Sequence, residues 1–258
     1  VSALARIAAI AENTAREAVR DKLLYNLLMF AGLMILSSVL LAQLQMGYDA
    51  RIYNDVGLAA IAFFGVLIAI FVGINLVYRE MSLKTVYAML AKPLHRWEFL
   101  LGKYLGLLGM LALEVAIMSS FFFVLLWFKA SEIHAGMGWA ILLIFFELAL
   151  VTAIALFFSS FTTPYLSGMF TVALWIAGHL LADLRAFGQG PDAEAIRPIT
   201  EFLYWFLPNL DRLDIKGPAA SGEAIEVARV MGSALYATLY SAVLMLLAIV
   251  VFRKRDFR

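Results

Sequence analysis

Met137-Gly138-Trp139-Ala140-Ile141-Leu142-Leu143-Ile144-Phe145-Phe146-Glu147-Leu148-Ala149-Leu150-Val151-Thr152-Ala153-Ile154-Ala155-Leu156-Phe157-Phe158-Ser159 carries one charge in 23 residues. A helix of this length reaches about 35 Å at 1.5 Å per residue, enough to cross the roughly 30 Å hydrocarbon core of a bilayer. The stretch therefore reads as a membrane span. Just beyond it, Ser160-Phe161-Thr162-Thr163-Pro164 separates it from another apolar run at 165–182. Pro164 suits the first turn of a helix and Thr163 its cap, so the two spans are expected to form a tight hairpin.

Working outward, four more apolar runs of spanning length lie at 24–44, 56–78, 103–128 and 230–252. With 64% hydrophobic and 15% charged residues, the chain departs far from soluble composition. The expected fold is all-α: one polytopic membrane domain over residues 1–258 with six transmembrane helices. Cysteine is absent, which removes disulfides, thiol nucleophiles and cysteine metal sites from consideration. Residues 183–229 join the last two spans. They are rich in Pro, Gly and acids and hold Phe202-Leu203-Tyr204-Trp205-Phe206 ahead of Pro208, as expected of a structured external loop.

Lys and Arg set the orientation. With both termini on one side, that side holds 13 of the 20 basic residues and six acids, a balance of +7, while the opposite side carries −4. The positive-inside rule then puts both termini and the 79–103 loop in the cytoplasm. Residues 1–22 place Leu4, Ile7, Ala8, Ala11, Ala15, Ala18 and Val19 on one helical face. Arg6, Asn13, Arg16, Glu17 and Arg20 lie largely opposite, the pattern of an amphipathic interfacial helix.

The 79–103 loop is the most informative segment. Glu80 and Lys84 are spaced i, i+4, and Val86, Met89 and Leu90 supply an apolar flank, so 80–90 is expected to be a short amphipathic helix ended by Pro93. A second short helix is expected to start near His95 and lead into the third span. Such a charged, partly apolar protrusion suits either a groove on a soluble partner or the lipid headgroups.

Taken together, the six spans, the amphipathic N-terminal helix and the basic loop resemble the permease subunits of type-2 ABC exporters. So do Arg79-Glu80, Lys84-Thr85, Leu90-Ala91-Lys92-Pro93, Arg96, Glu98-Phe99 and Gly102-Lys103 with Gly106. Ser159-Ser160, Leu207-Pro208-Asn209-Leu210 and the terminal Phe252-Arg253-Lys254-Arg255-Asp256-Phe257 extend the resemblance over the whole chain. It implies a cytoplasmic-membrane permease that forms a homodimer on two ABC ATPase subunits. Arg79, Glu80, Lys84, Thr85, Lys92, Pro93, Arg96 and Glu98 would couple to the ATPase, and an extracytoplasmic accessory protein would fit the same scheme. ATP and Mg would bind the ATPase, with no cofactor, metal or nucleic acid on this chain. The sequence agrees on one point independently. A phosphate loop needs Gly-x-x-x-x-Gly-Lys-Ser/Thr, and Gly102-Lys103 has Trp97 at the first glycine position and Tyr104 at the hydroxyl position.

Glu114 and Glu147 lie within spans, where an ionised carboxylate costs about 2.5–3.5 kcal/mol. They read either as a proton or cation relay or polar cargo lining, or as acids protonated or hydrogen-bonded to neighbouring helices; no intramembrane Lys or Arg stands by to pair with them. Gly102, Gly106 and Gly109 put small residues on one side of the third span, a pattern that allows close helix packing, although glycine is also simply common in membrane helices. Trp97, Trp127, Trp139 and Trp205 fit interfacial belts, whereas Trp175 lies inside the fifth span. His95, His134 and His179 are too scattered to form a metal site. An ATPase-independent channel or scaffold remains the competing reading. An intramembrane enzyme is disfavoured, since the chain has no His-Glu-x-x-His, no Gly-x-Ser-x-Gly and no intramembrane aspartate pair.

Overall fold

A computed structural model describes residues 2–42, 49–82, 95–129, 133–190 and 195–254, with side chains described over 2–39, 51–75, 95–129, 133–190 and 195–252. The described residues are helical apart from short connections. They form α1 (Ala3–Val19), α2 (Lys22–Ala42), α3 (Asp49–Ser82), α4 (Arg96–Phe128), α5 (Gly136–Ser159), α6 (Pro164–Gly188), α7 (Arg197–Phe206), a 3₁₀ turn (Asp211–Leu213), α8 (Lys216–Ala220) and α9 (Val227–Lys254). Six of these, α2 to α6 and α9, are long and apolar enough to cross a membrane.

Their packing is arranged for lipid. The centre is formed by α3 and α5, where Leu58, Ile61, Ile68, Leu143, Leu148, Leu150 and Val151 are fully buried. Around them α2, α6 and α9 turn large apolar side chains outward, among them Phe30, Leu33, Met169, Phe170, Leu239 and Leu246. In water such rows would be costly, whereas against acyl chains they carry no penalty.

Two expectations need correction. No separate short helix starts at His95: α4 runs unbroken from Arg96, and the Glu98 carboxylate accepts the His95 backbone N–H at 3.2 Å, closing the first turn. The expected 80–90 helix begins as the last turn of α3, and residues 83–94 lie outside the described residues. At the α5–α6 hairpin Pro164 occupies the first turn as anticipated, but the Thr163 side chain makes no capping bond. The turn is held instead by Ser167, whose hydroxyl lies 2.9 Å from the Ser159 hydroxyl and donates to the Ala155 carbonyl at 3.1 Å.

The connection between α6 and α9 folds down into the bundle. Leu210 N–H donates to the Gly178 carbonyl at 3.1 Å, and Gly178 precedes the end of α6 by ten positions, about 15 Å along its axis. A Cβ at Gly178 would stand 2.7 Å from the Pro208 carbonyl oxygen, so glycine permits this approach. Irregular backbone survives at such depth only when protein covers it. Leu210, Leu213, Ile215, Ala219 and Ala220 are accordingly buried, and the Tyr236 hydroxyl accepts Asn209 N–H at 2.8 Å.

Candidate functional site

The start of α1, the end of α9 and the start of α4 share one end of the bundle. There α1 lies along α4 in a groove cut by two glycines: a Cβ at Gly102 would meet Ile10 at 2.7 Å, and one at Gly106 would meet the Ala11 carbonyl oxygen at 2.5 Å. Gly109, the third of the stripe, faces open space. The buried side of α1 is Ile7, Thr14 and Ala18, with Ile10 and Ala11 partly covered, while Leu4 is 79% exposed. The apolar face read from the sequence is thus rotated, because the glycine groove rather than the hydrophobic maximum chooses which side docks.

An ion pair clamps this contact. Arg6 donates to the fully buried Glu98 through Nε (2.9 Å to Oε2) and Nη2 (2.5 Å to Oε1), a bidentate arrangement. Arg96 Nη1 donates to the Phe252 carbonyl at 3.1 Å, and the Phe99 and Phe252 rings stack with centroids 6.3 Å apart. Lys103 is buried, its Nζ 5.8 Å from the centre of the Phe99 ring. The first turns of α4 therefore tie α1 to α9. Of the eight residues assigned to coupling, Arg96 and Glu98 meet here. Arg79 and Glu80 lie on the last turn of α3 with side chains outside the described residues, as Lys84, Thr85, Lys92 and Pro93 are entirely.

The second polar site is inside the bundle. Glu147 is buried, and its Oε1 accepts the Trp175 indole N–H at 2.9 Å. His179 Nε2 stands 3.4 Å from the same oxygen, while its Nδ1 is 3.0 Å from the Trp175 carbonyl and so donates to it. The absence of a nearby cation inferred from the sequence is corrected here: Lys216, on the inserted segment, brings Nζ to 4.0 Å from Glu147 Oε2 and 3.1 Å from Asp214. Trp175 thereby faces α5. Glu114 is different, with both oxygens buried and no hydrogen-bond partner among the described residues. Among the described residues no group of three or more His, Cys, Asp and Glu could hold a metal ion.

Sequence reasoning missed Arg6 and Lys216 as partners. Arg6 lies 92 positions from Glu98, and no local periodicity connects the two.

Six helices long and apolar enough to cross a membrane, two of them buried at the centre of the bundle, mark an integral, multi-pass membrane protein. The profile of the family described as ABC-2 family transporter protein matches residues 7–257. The chain belongs to that family, so its class is that of an ABC transporter permease, a class that implies association with ATPase subunits. A search of curated proteins found no match.

Proposed function

We propose that this chain is the membrane-spanning permease subunit of an ATP-driven exporter. Hydrolysis on partner ATPases would be converted into movement of a substrate across or out of the cytoplasmic membrane. The charge asymmetry supports cytoplasmic termini and a cytoplasmic 79–103 segment. The observation that carries the coupling reading is the clamp at the start of α4. A load on the 79–103 segment reaches Arg96 and Glu98, and through them both α9 and α1. Glu98 then acts by holding α1 rather than by touching the ATPase. The outward apolar rows of α2 and α6 support a homodimer formed by those helices, with one ATPase, carrying ATP and Mg, under each copy.

Charge reversal tests this reading. Glu80→Lys and Arg96→Glu, made singly, should reduce ATPase co-purification and hydrolysis. A like-charge contact at an interface costs several kcal/mol, whereas solvated surface substitutions stay within about 0.5 kcal/mol. Arg96→Glu also removes the bond to Phe252, so its folding is checked by thermal unfolding. Glu80→Lys retaining a fully active ATPase would remove the segment from the coupling path.

A further inference from the structure

Basic residues at the inserted-segment end of the bundle differ in their partners. Arg51 pairs with Asp55 at 3.5 Å, Arg197 with Glu201 at 3.4 Å and Lys216 with Asp214 at 3.1 Å. Arg185 and Arg212 have no carboxylate partner among the described residues, although Asp183 and Asp211 are close to them in sequence. Both lie against aromatic rings instead. The Arg185 guanidinium carbon is 4.3 Å from the centre of the Tyr204 ring and 5.8 Å from that of Trp205, and Arg212 is 5.2 Å from that of Tyr236. Arg185 Nε is buried without an acceptor among the described residues. The neighbouring Arg212 and, to a lesser extent, Arg185 guanidiniums hold the Tyr204 hydroxyl below its usual pKa.

A guanidinium that stacks on a ring leaves its in-plane N–H donors aimed sideways, the geometry in which arginine grips phosphate. The surroundings are those of a lipid. Arg185 is three positions from the end of α6, near where a 25-residue helix of about 37 Å leaves the hydrocarbon. Trp205 is 71% exposed, and Ile199, Phe202 and Phe206 continue an apolar strip along the outer face of α7. An anion there would have an apolar strip beside it, matching a headgroup with its acyl chains.

We propose that Arg185 and Arg212, each set against a tyrosine ring, bind the phosphate of an anionic phospholipid in the leaflet at this end of the bundle. The purified protein, with the subunits that accompany it, is titrated with phosphatidylglycerol and separately with inorganic phosphate, and bound ligand is read by native mass spectrometry. Arg212 is exposed and can be changed without opening the core, so Arg212→Gln is the primary variant. It should weaken phosphatidylglycerol binding about tenfold with an unchanged unfolding temperature. Arg185→Gln should weaken it at least as much, with partial recovery in Arg185→Lys. Arg229→Gln, at the start of α9 and outside the cluster, should bind as wild type does. Equal lipid binding in wild type and Arg212→Gln overturns the site. Inorganic phosphate bound with the same dependence on both arginines, with no lipid bound, overturns the assignment to lipid.

Discussion

Glu147 follows Gly136 by eleven positions, about 16 Å into α5, a depth at which a lone carboxylate is expensive. Its neighbours offset that cost from two directions: the Trp175 indole N–H and the Lys216 ammonium. Lys216→Met should therefore destabilise the protein in detergent by roughly 1–3 kcal/mol, since it leaves the buried acid with one partner fewer. In a Glu147→Gln background the same change should cost less, and the difference between the two backgrounds should give a coupling of about 0.5–3 kcal/mol. Unfolding midpoints of the four proteins measure it, and strict additivity would mean that Lys216 serves Asp214 alone. Glu147 was legible as a suspect because one charge in a 23-residue apolar run stands out. Its partners were not legible. Trp175, His179 and Lys216 lie 28, 32 and 69 positions away, and only the inserted connection brings the lysine down.

Among the helices, α1 shows what an amphipathic pattern reveals and what it hides. Alternation of apolar and charged residues predicts a helix in the N-terminal segment, where α1 runs over Ala3–Val19, and of the glycine stripe Gly102 and Gly106 pack closely while Gly109 does not. The contact between the two could not be read. Many rotations of an Ala-rich helix bury similar area, and steric fit at Gly102 and Gly106 selects one of them. That dependence makes an expected contrast. Gly106→Ala puts a Cβ 2.5 Å from the Ala11 carbonyl oxygen, where backbone must move, and should cost about 1–3 kcal/mol and expose α1 to protease. Gly109→Ala meets nothing within 4 Å and should be neutral or stabilising by up to about 1 kcal/mol. Limited proteolysis and thermal unfolding of the two variants read both effects, and equal behaviour would show that α1 does not depend on the groove.

For the molecule as a whole, the six spans follow from hydropathy because lipid demands long, continuous apolar helices, the strongest regularity a sequence can carry. The path of residues 207–220 escapes the same reading: their local composition resembles a surface loop, and they are tolerated at depth only because α5, α6 and α9 cover them. Family membership and the clamp joining α1, α4 and α9 support one central claim, that this chain is the membrane half of an ATP-driven machine. The most direct test is the composition and activity of the complex purified through a tag on this chain. Two copies of the chain with two ATPase subunits, hydrolysing ATP, is the predicted result. The chain recovered without any ATP-hydrolysing subunit, yet still moving its substrate in proteoliposomes, would contradict the account.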